Sequence, residues 1–411
     1  MSTLAILSLL FAIAAVFGLL SARWLRLPIT IGTMLLTVLV SAALSLTATR
    51  VPGIHQWAAE LMQRINFESL ILHGMLPLLL FAGAFLLDLE QLAQQKFTIA
   101  LFSVAGTTIC FLLVAVLMHL LSGNRLPWIE CFIFGALISP TDPIAVLEML
   151  RRVGIPRGIQ AQLAGESLFN DGIGAVLFIT MLAIARGSAP TPWRVSGLRL
   201  AQAGGAIVVG LLAAFVTSRL MRLLDSYRID ILLTVSLAFG GYVLAETLHL
   251  SAPLEAVVAG IALRLFNRRL PEGRIARERL DSFWEVIDEI QNCVLFVLLG
   301  LESMAITLDA PAIRSGVSAI VTVNLVRLAA VVLLLLVVRV FQRGYHSSFF
   351  VLTWGGLRGG LSIALALSVP AQFGRSWILG TTYLVVVFSI VIQGGTMDWI
   401  LRNRKIRRLA A

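Results

Sequence analysis

The sequence predicts an all-α polytopic membrane protein, with about 13 transmembrane helices in a single domain over residues 1–411. Three observations predict this class. The chain is 58% hydrophobic and 13% charged, with a mean hydropathy of +0.93, outside the range of soluble globular domains. Its apolar residues fall in runs of about 20, enough helix to cross a hydrocarbon core of ~30 Å. Most of its 32 Lys and Arg residues collect in alternate loops, the asymmetry that orients membrane proteins.

Taken in order, the spans fall near 3–22, 29–48, 71–87, 98–121, 128–150, 159–186, 200–222, 230–249, 252–266, 286–305, 313–341, 347–370 and 377–401. Placing the N-terminus outside and the C-terminus in the cytoplasm puts the basic clusters at 151–157, 219–228, 264–279 and 402–408 inside. The same distribution accounts for the net charge of +10 without nucleic acid. The tail RNRKIRRL, 402–409, is suited to anionic lipid headgroups. Span one is not a cleaved signal peptide, because Arg23 and Arg26 follow its apolar run. Cys110, Cys131 and Cys293 all lie in spans, which points to neither disulfides nor a metal cluster. No cofactor is called for, and no soluble regulatory domain is expected.

Spans one to three read as scaffold. Glu60, Arg64 and Glu68 read as solvated loop charges, and His73 and His119 as interfacial residues near span ends. The segment 267–284, NRRLPEGRIARERLDSFW, has the spacing of an amphipathic stretch lying on the cytoplasmic surface ahead of span ten.

Span five carries Ser139-Pro140-Thr141-Asp142-Pro143 near its middle. Proline removes a helical donor, so Pro143 frees the carbonyl of Ser139 and Pro140 that of Ala136. Freed carbonyls at membrane depth need protein, water or a cation. Span six carries Glu166-Ser167-Leu168-Phe169-Asn170-Asp171, with Ser167 one turn from Asp171 and Glu166 one turn from Asn170. Such oxygen ligands suit a small hard cation. Intramembrane acids are costly and functional as a rule. A carboxylate there can hold a proton or a cation, and the two compete.

Pro140 and Pro143 in span five have a counterpart in Gly355, Gly356, Gly359 and Gly360 in span twelve. One broken helix per half predicts two inverted six-helix repeats whose breaks cross at the midplane. The ion-binding core is then about 98–190 and 311–405, and the scaffold about 1–97 and 223–310. Arg327 and Arg358 lie within spans and need an acid or free carbonyls. Arg358 is the expected partner of Glu166, with Arg327 the second candidate. Gln393 and Asn292 are expected to bond backbone near the breaks.

TDP (141–143), ESLFND (166–171), FVLLGLE (296–302), WGGLRGG (354–360) and VIQGGT (391–396), in this order, resemble the monovalent cation/proton antiporters, the branch of bacterial sodium/proton antiporters and animal sodium/hydrogen exchangers. The resemblance covers nearly the whole chain. It implies exchange of Na+ or Li+ for H+ by alternating access, in pH homeostasis, by a homodimer in the bacterial cytoplasmic membrane, and it assigns the dimer contact to the scaffold. It assigns Asp171 as main ligand and proton carrier and Asp142 as its helper. Ser167 adds an oxygen and Thr141 its carbonyl, so that the cation sits at Asp171, Asp142, Ser167 and Thr141. Neutral Asn170 stands where electrogenic relatives carry an acid, which implies a 1:1 electroneutral cycle. Ala82 departs from the acid or Asn that many relatives carry in span three.

Potassium is the alternative cation. An intramembrane protease would need Gly-x-Gly-Asp or Gly-x-Ser-Gly, and a phosphate-driven pump a Gly-Lys-Ser/Thr loop. Neither is in the sequence. A passive channel would conduct current where an electroneutral exchanger does not.

Overall fold

A computed structural model describes residues 3–25, 29–48, 70–187, 192–223, 226–267, 274–302, 310–341 and 349–402. Glu60, Arg64, Glu68 and nearly all of the basic tail lie outside them. The regular structure of the described residues is helical throughout. Labelled in chain order, the helices are α1 (Thr3–Leu20), α2 (Ile29–Ala48), α3 (Leu76–Phe85, entered through Leu70–Met75) and α4 (Lys96–Leu121). Then follow α5a (Trp128–Ile138), α5b (Ile144–Val153), α6 (Arg157–Ala185), α7 (Pro192–Met221), α8 (Tyr227–Thr247) and α9 (Ala252–Phe266). The last are α10 (Arg274–Glu302), α11 (Ala310–Phe341), α12a (Phe349–Trp354), α12b (Gly360–Leu367) and α13 (Arg375–Leu401). Seven helices among the described residues are long and apolar enough to cross a membrane. Shorter apolar helices run over Ile29–Ser41, Leu70–Phe85 and Trp128–Ile138, the last ending at the non-helical residues 139–143.

Helix ends follow local chemistry. The Asp88 side chain accepts from the backbone N–H groups of Glu90 and Gln91 and starts the short helix Leu89–Gln94. Gly154 ends α5b at φ +75°, a left-handed turn that a Cβ would disfavour. Pro156 then precedes the first residue of α6.

The predicted surface stretch 267–284 lies partly outside the described residues, which resume at Arg274. From Arg274 onward it is the first part of α10, continuous with the apolar run that follows. Trp284, at its end, is fully buried with its ring 4.8 Å from that of Phe81, and its indole N–H donates to Thr234 at 3.2 Å. An indole that satisfies its one donor inside can leave the interface.

The α3, α7, α8 and α9 helices form one packed group, in which small residues let backbones approach. A Cβ on Gly260 would lie 2.8 Å from the Phe81 carbonyl, and one on Gly210 3.0 Å from that of Glu255. A second group of α4, α5a, α11, α12b and α13 shares the core of Phe111, Phe134, Leu137, Val326 and Ile378. Leu325, Val332, Leu333 and Leu336 on α11 face outward, as lipid contact requires.

Candidate ion-binding site

Residues 139–143, between α5a and α5b, and residues 355–359, between α12a and α12b, are non-helical and run past each other at the centre of the fold. The Asp142 N–H donates to the Leu357 carbonyl at 2.9 Å, so each break satisfies part of the other's backbone. Glycine is needed at this crossing. A Cβ on Gly359 would lie 2.0 Å from the Asp142 carboxylate, and one on Gly174 of α6 would lie 2.1 Å from the Pro140 ring.

The α6 helix lies against the first break. Ser167 donates its hydroxyl to the Thr141 carbonyl. Asn170 uses both ends of its amide on Thr141, donating to the hydroxyl at 2.8 Å and accepting from the N–H at 3.3 Å. Asn170 is buried and outside the cavity lining; it fixes the geometry of the break. Asp142, Asp171, Ser167, Thr141, Pro140 and Pro143 line one cavity of about 180 Å³. Both carboxylates are partly exposed to it.

Asp171 also lines a second cavity, of about 530 Å³. The first reaches toward the end of α3 at Leu86 and Leu87, the second toward its entry at Leu72 and His73 and the end of α6 at Arg186. Asp171 therefore stands where the two cavities meet, the smaller running from it toward the start of α6 and the larger toward the end of α6. The second cavity holds the His73 imidazole 3.5 Å from Glu246. His119 is buried, with Nδ1 at 2.8 Å from the Leu126 carbonyl and its ring stacked on Trp128 at 3.8 Å.

The Glu166 partner differs from the one expected. Arg327 of α11 donates to Glu166 at 2.5 Å and turns its remaining N–H groups to the Leu352 carbonyl at 2.9 and 3.3 Å, at the ragged end of α12a. Arg358 instead donates to the Gly356 carbonyl at 2.8 Å within its own break. Gly356 leaves room for this, since a Cβ there would meet the Arg327 guanidinium at 2.8 Å. One arginine thus neutralises an acid and caps a freed carbonyl, while the other braces the loop that carries it.

Gln393 bonds side chains, contrary to the backbone contact expected of it. It accepts from Ser389 and donates to Asn324 at 2.7 Å, and Ser389 in turn accepts from the Arg358 N–H at 3.1 Å. Asn292 does bond backbone, donating to the Asp288 carbonyl one turn back at 2.8 Å. Asp288 lines the smaller cavity with Asp142 and Asp171. Sequence reasoning missed it, although an acid and an amide four residues apart, facing an apolar run, were visible.

A family model described as "Sodium/hydrogen exchanger, transmembrane" matches residues 10–403. The chain belongs to the sodium/hydrogen exchanger family. This multi-pass exchanger-family chain is 38% identical over 394 residues to the Na(+)/H(+) antiporter NhaP of Pseudomonas aeruginosa, a match covering 93% of this chain and 92% of that protein. It is 32% identical over 372 residues to the Na(+)/H(+) antiporter NhaH of Halobacillus dabanensis, covering 89% and 90%. The fold is also that of the sodium proton antiporter MjNhaP1 from Methanocaldococcus jannaschii, at TM-score 0.74 and 20% identity over 97% of this chain and 98% of that one.

Proposed function

We propose that this exchanger-family protein exchanges Na+ or Li+ for H+ across the membrane by alternating access, one cation for one proton. The observation that carries the reading is the pairing of Asp142 and Asp171 in one cavity where two broken helices cross, with Asp171 also reached from a second cavity. A carboxylate in such a place binds either a proton or a cation, because protonation removes the charge that would hold the cation in a low-dielectric site. Ser167 and the Thr141 carbonyl, already drawn together, supply neutral oxygens suited to a dehydrated hard cation.

Asn170 supports the 1:1 cycle, because it is neutral and engaged with Thr141, leaving Asp171 as the acid of α6 that lines the cavities. Glu166 is matched by Arg327 and adds no net charge to the cycle. In this reading the core, about 98–190 and 311–405, moves against the scaffold, about 1–97 and 223–310. The scaffold also forms the homodimer contact. The count of 13 spans, the inverted repeats, the cytoplasmic-membrane location and the N-out, C-in orientation belong to the same proposal, and no cofactor enters it.

The test is proton release from everted membrane vesicles on adding Na+, Li+ or K+ in turn, for the native chain and Asp171→Asn. Sodium should dissipate the proton gradient in the native protein and not in the variant. A response to K+ alone would make the protein a potassium exchanger. Current carried without proton return would make it a channel.

A further inference from the structure

The exchange reading uses Asp142 and Asp171 and leaves a third cavity carboxylate unassigned. Asp288, half-buried, faces the same space of about 180 Å³ from α10. Its elements differ from those of the other two acids: Asp142 sits in the break of span five and Asp171 on α6. One turn along α10 is Asn292, which is 1% exposed and also lines the cavity. Its amide nitrogen is committed to the Asp288 carbonyl at 2.8 Å, which fixes the orientation of the amide. The amide oxygen is then left over, buried, with no hydrogen-bond partner among the described residues.

A buried carbonyl oxygen without a donor is costly unless something electropositive visits it. Water or a cation would meet the need. A cation is favoured because the neighbouring group on the same helix face is a carboxylate. Asp288 and the Asn292 amide oxygen together offer one anionic and one neutral hard ligand, the kind used for a partly hydrated monovalent cation. Arg151 also lines the cavity, but it is exposed to solvent and so screened.

We propose that Asp288 and Asn292 form a second, weaker cation-receiving position between the mouth of the smaller cavity and the Asp142–Asp171 pair. A Na+-class ion pauses there, half-dehydrated, before it reaches the core acids. The position serves only the face onto which this cavity opens, since neither residue lines the larger cavity at His73 and Arg186. The inference rests on the exchange reading and adds a sided ligand to it.

The test uses the purified full chain in proteoliposomes of one orientation, with Na+ titrated from each face separately. For Asp288→Asn, the half-saturating Na+ concentration at one face should rise about tenfold relative to the other, the scale of losing one nearby charge in a partly solvated site. Asn292→Ala should shift the same face by about threefold, as loss of one neutral ligand would. Asp288→Glu should restore much of the affinity. Na+-induced thermal stabilisation in detergent gives a readout without transport, and Asp288→Asn should need more Na+ for the same stabilisation. Equal shifts at both faces, or none at either, in both Asp288→Asn and Asn292→Ala would overturn the proposal while native exchange stands. A native protein that neither exchanges nor is stabilised by any cation would instead overturn the exchange reading.

Discussion

The two breaks at the centre of the molecule are made from different residues and do different work. The break at 139–143 is made by prolines and is rich in oxygen. Thr141 and Asp142 line the cavity there, and Thr141 takes bonds from Ser167 and Asn170. The break at 355–359 is made by glycines and contributes space. Gly359 admits the Asp142 carboxylate, Gly356 admits Arg327, and the Leu357 carbonyl receives the Asp142 N–H. Proline opens a helix by removing a donor, whereas glycine opens one by costing little to unwind and leaving no side chain in the way. The difference teaches that one broken helix supplies the oxygen atoms and the other supplies the room for them.

The strongest way to break this comparison is Gly359→Ala. Its methyl group would occupy the place of the Asp142 carboxylate, and displacing a ligand by an ångström or more costs on the order of 100-fold in rate. Na+-driven proton movement should fall by at least about that factor. Gly395→Ala, where a Cβ meets nothing within 4 Å, should retain it. Native rates in Gly359→Ala would mean that the glycine break is not a spacer.

The next effect is on stability. Arg327→Ala strands Glu166 as a buried acid without its partner, a loss of about 3–5 kcal/mol, read as a lower unfolding temperature in detergent. Arg358→Ala should cost less, because Arg358 braces carbonyls of its own loop. The reverse order would break the assignment of the pair. Smaller again is Ser167→Ala, which removes the hydroxyl that meets the Thr141 carbonyl. A loss of about 1 kcal/mol should appear as a several-fold higher half-saturating Na+ concentration. Of similar size but confined to stability is the effect of Trp284→Phe, which loses one hydrogen bond to Thr234. Stability should fall by about 1 kcal/mol, with the half-saturating Na+ concentration unchanged, since Trp284 packs away from both breaks.

Much of the site was legible because polar residues are rare in such a chain. Asp142 and Asp171 stood out against apolar surroundings, and proline and glycine runs marked the two breaks by local stereochemistry. The choice between Arg327 and Arg358 was not legible. Both are single arginines in apolar spans, and which of them reaches Glu166 depends on how α11 packs against α12a. That 274–284 is continuous with α10 was not legible for a related reason. A charged amphipathic pattern looks alike on a separate surface helix and on the first turns of a long one, and only packing of Trp284 onto Phe81 tells them apart.

By itself the sequence determined the all-helical membrane class, the places where two helices break and the presence of acids beside them. Each of these follows from local composition: hydrocarbon length, lost backbone donors and charge at depth. Tertiary structure alone decided which arginine neutralises Glu166, that Asn170 holds a backbone and lies off the cavity, and that Asp288 shares a space with Asp142 and Asp171. Those are contacts between residues far apart in the chain, fixed by the angle and depth at which helices cross, and no local pattern encodes that geometry.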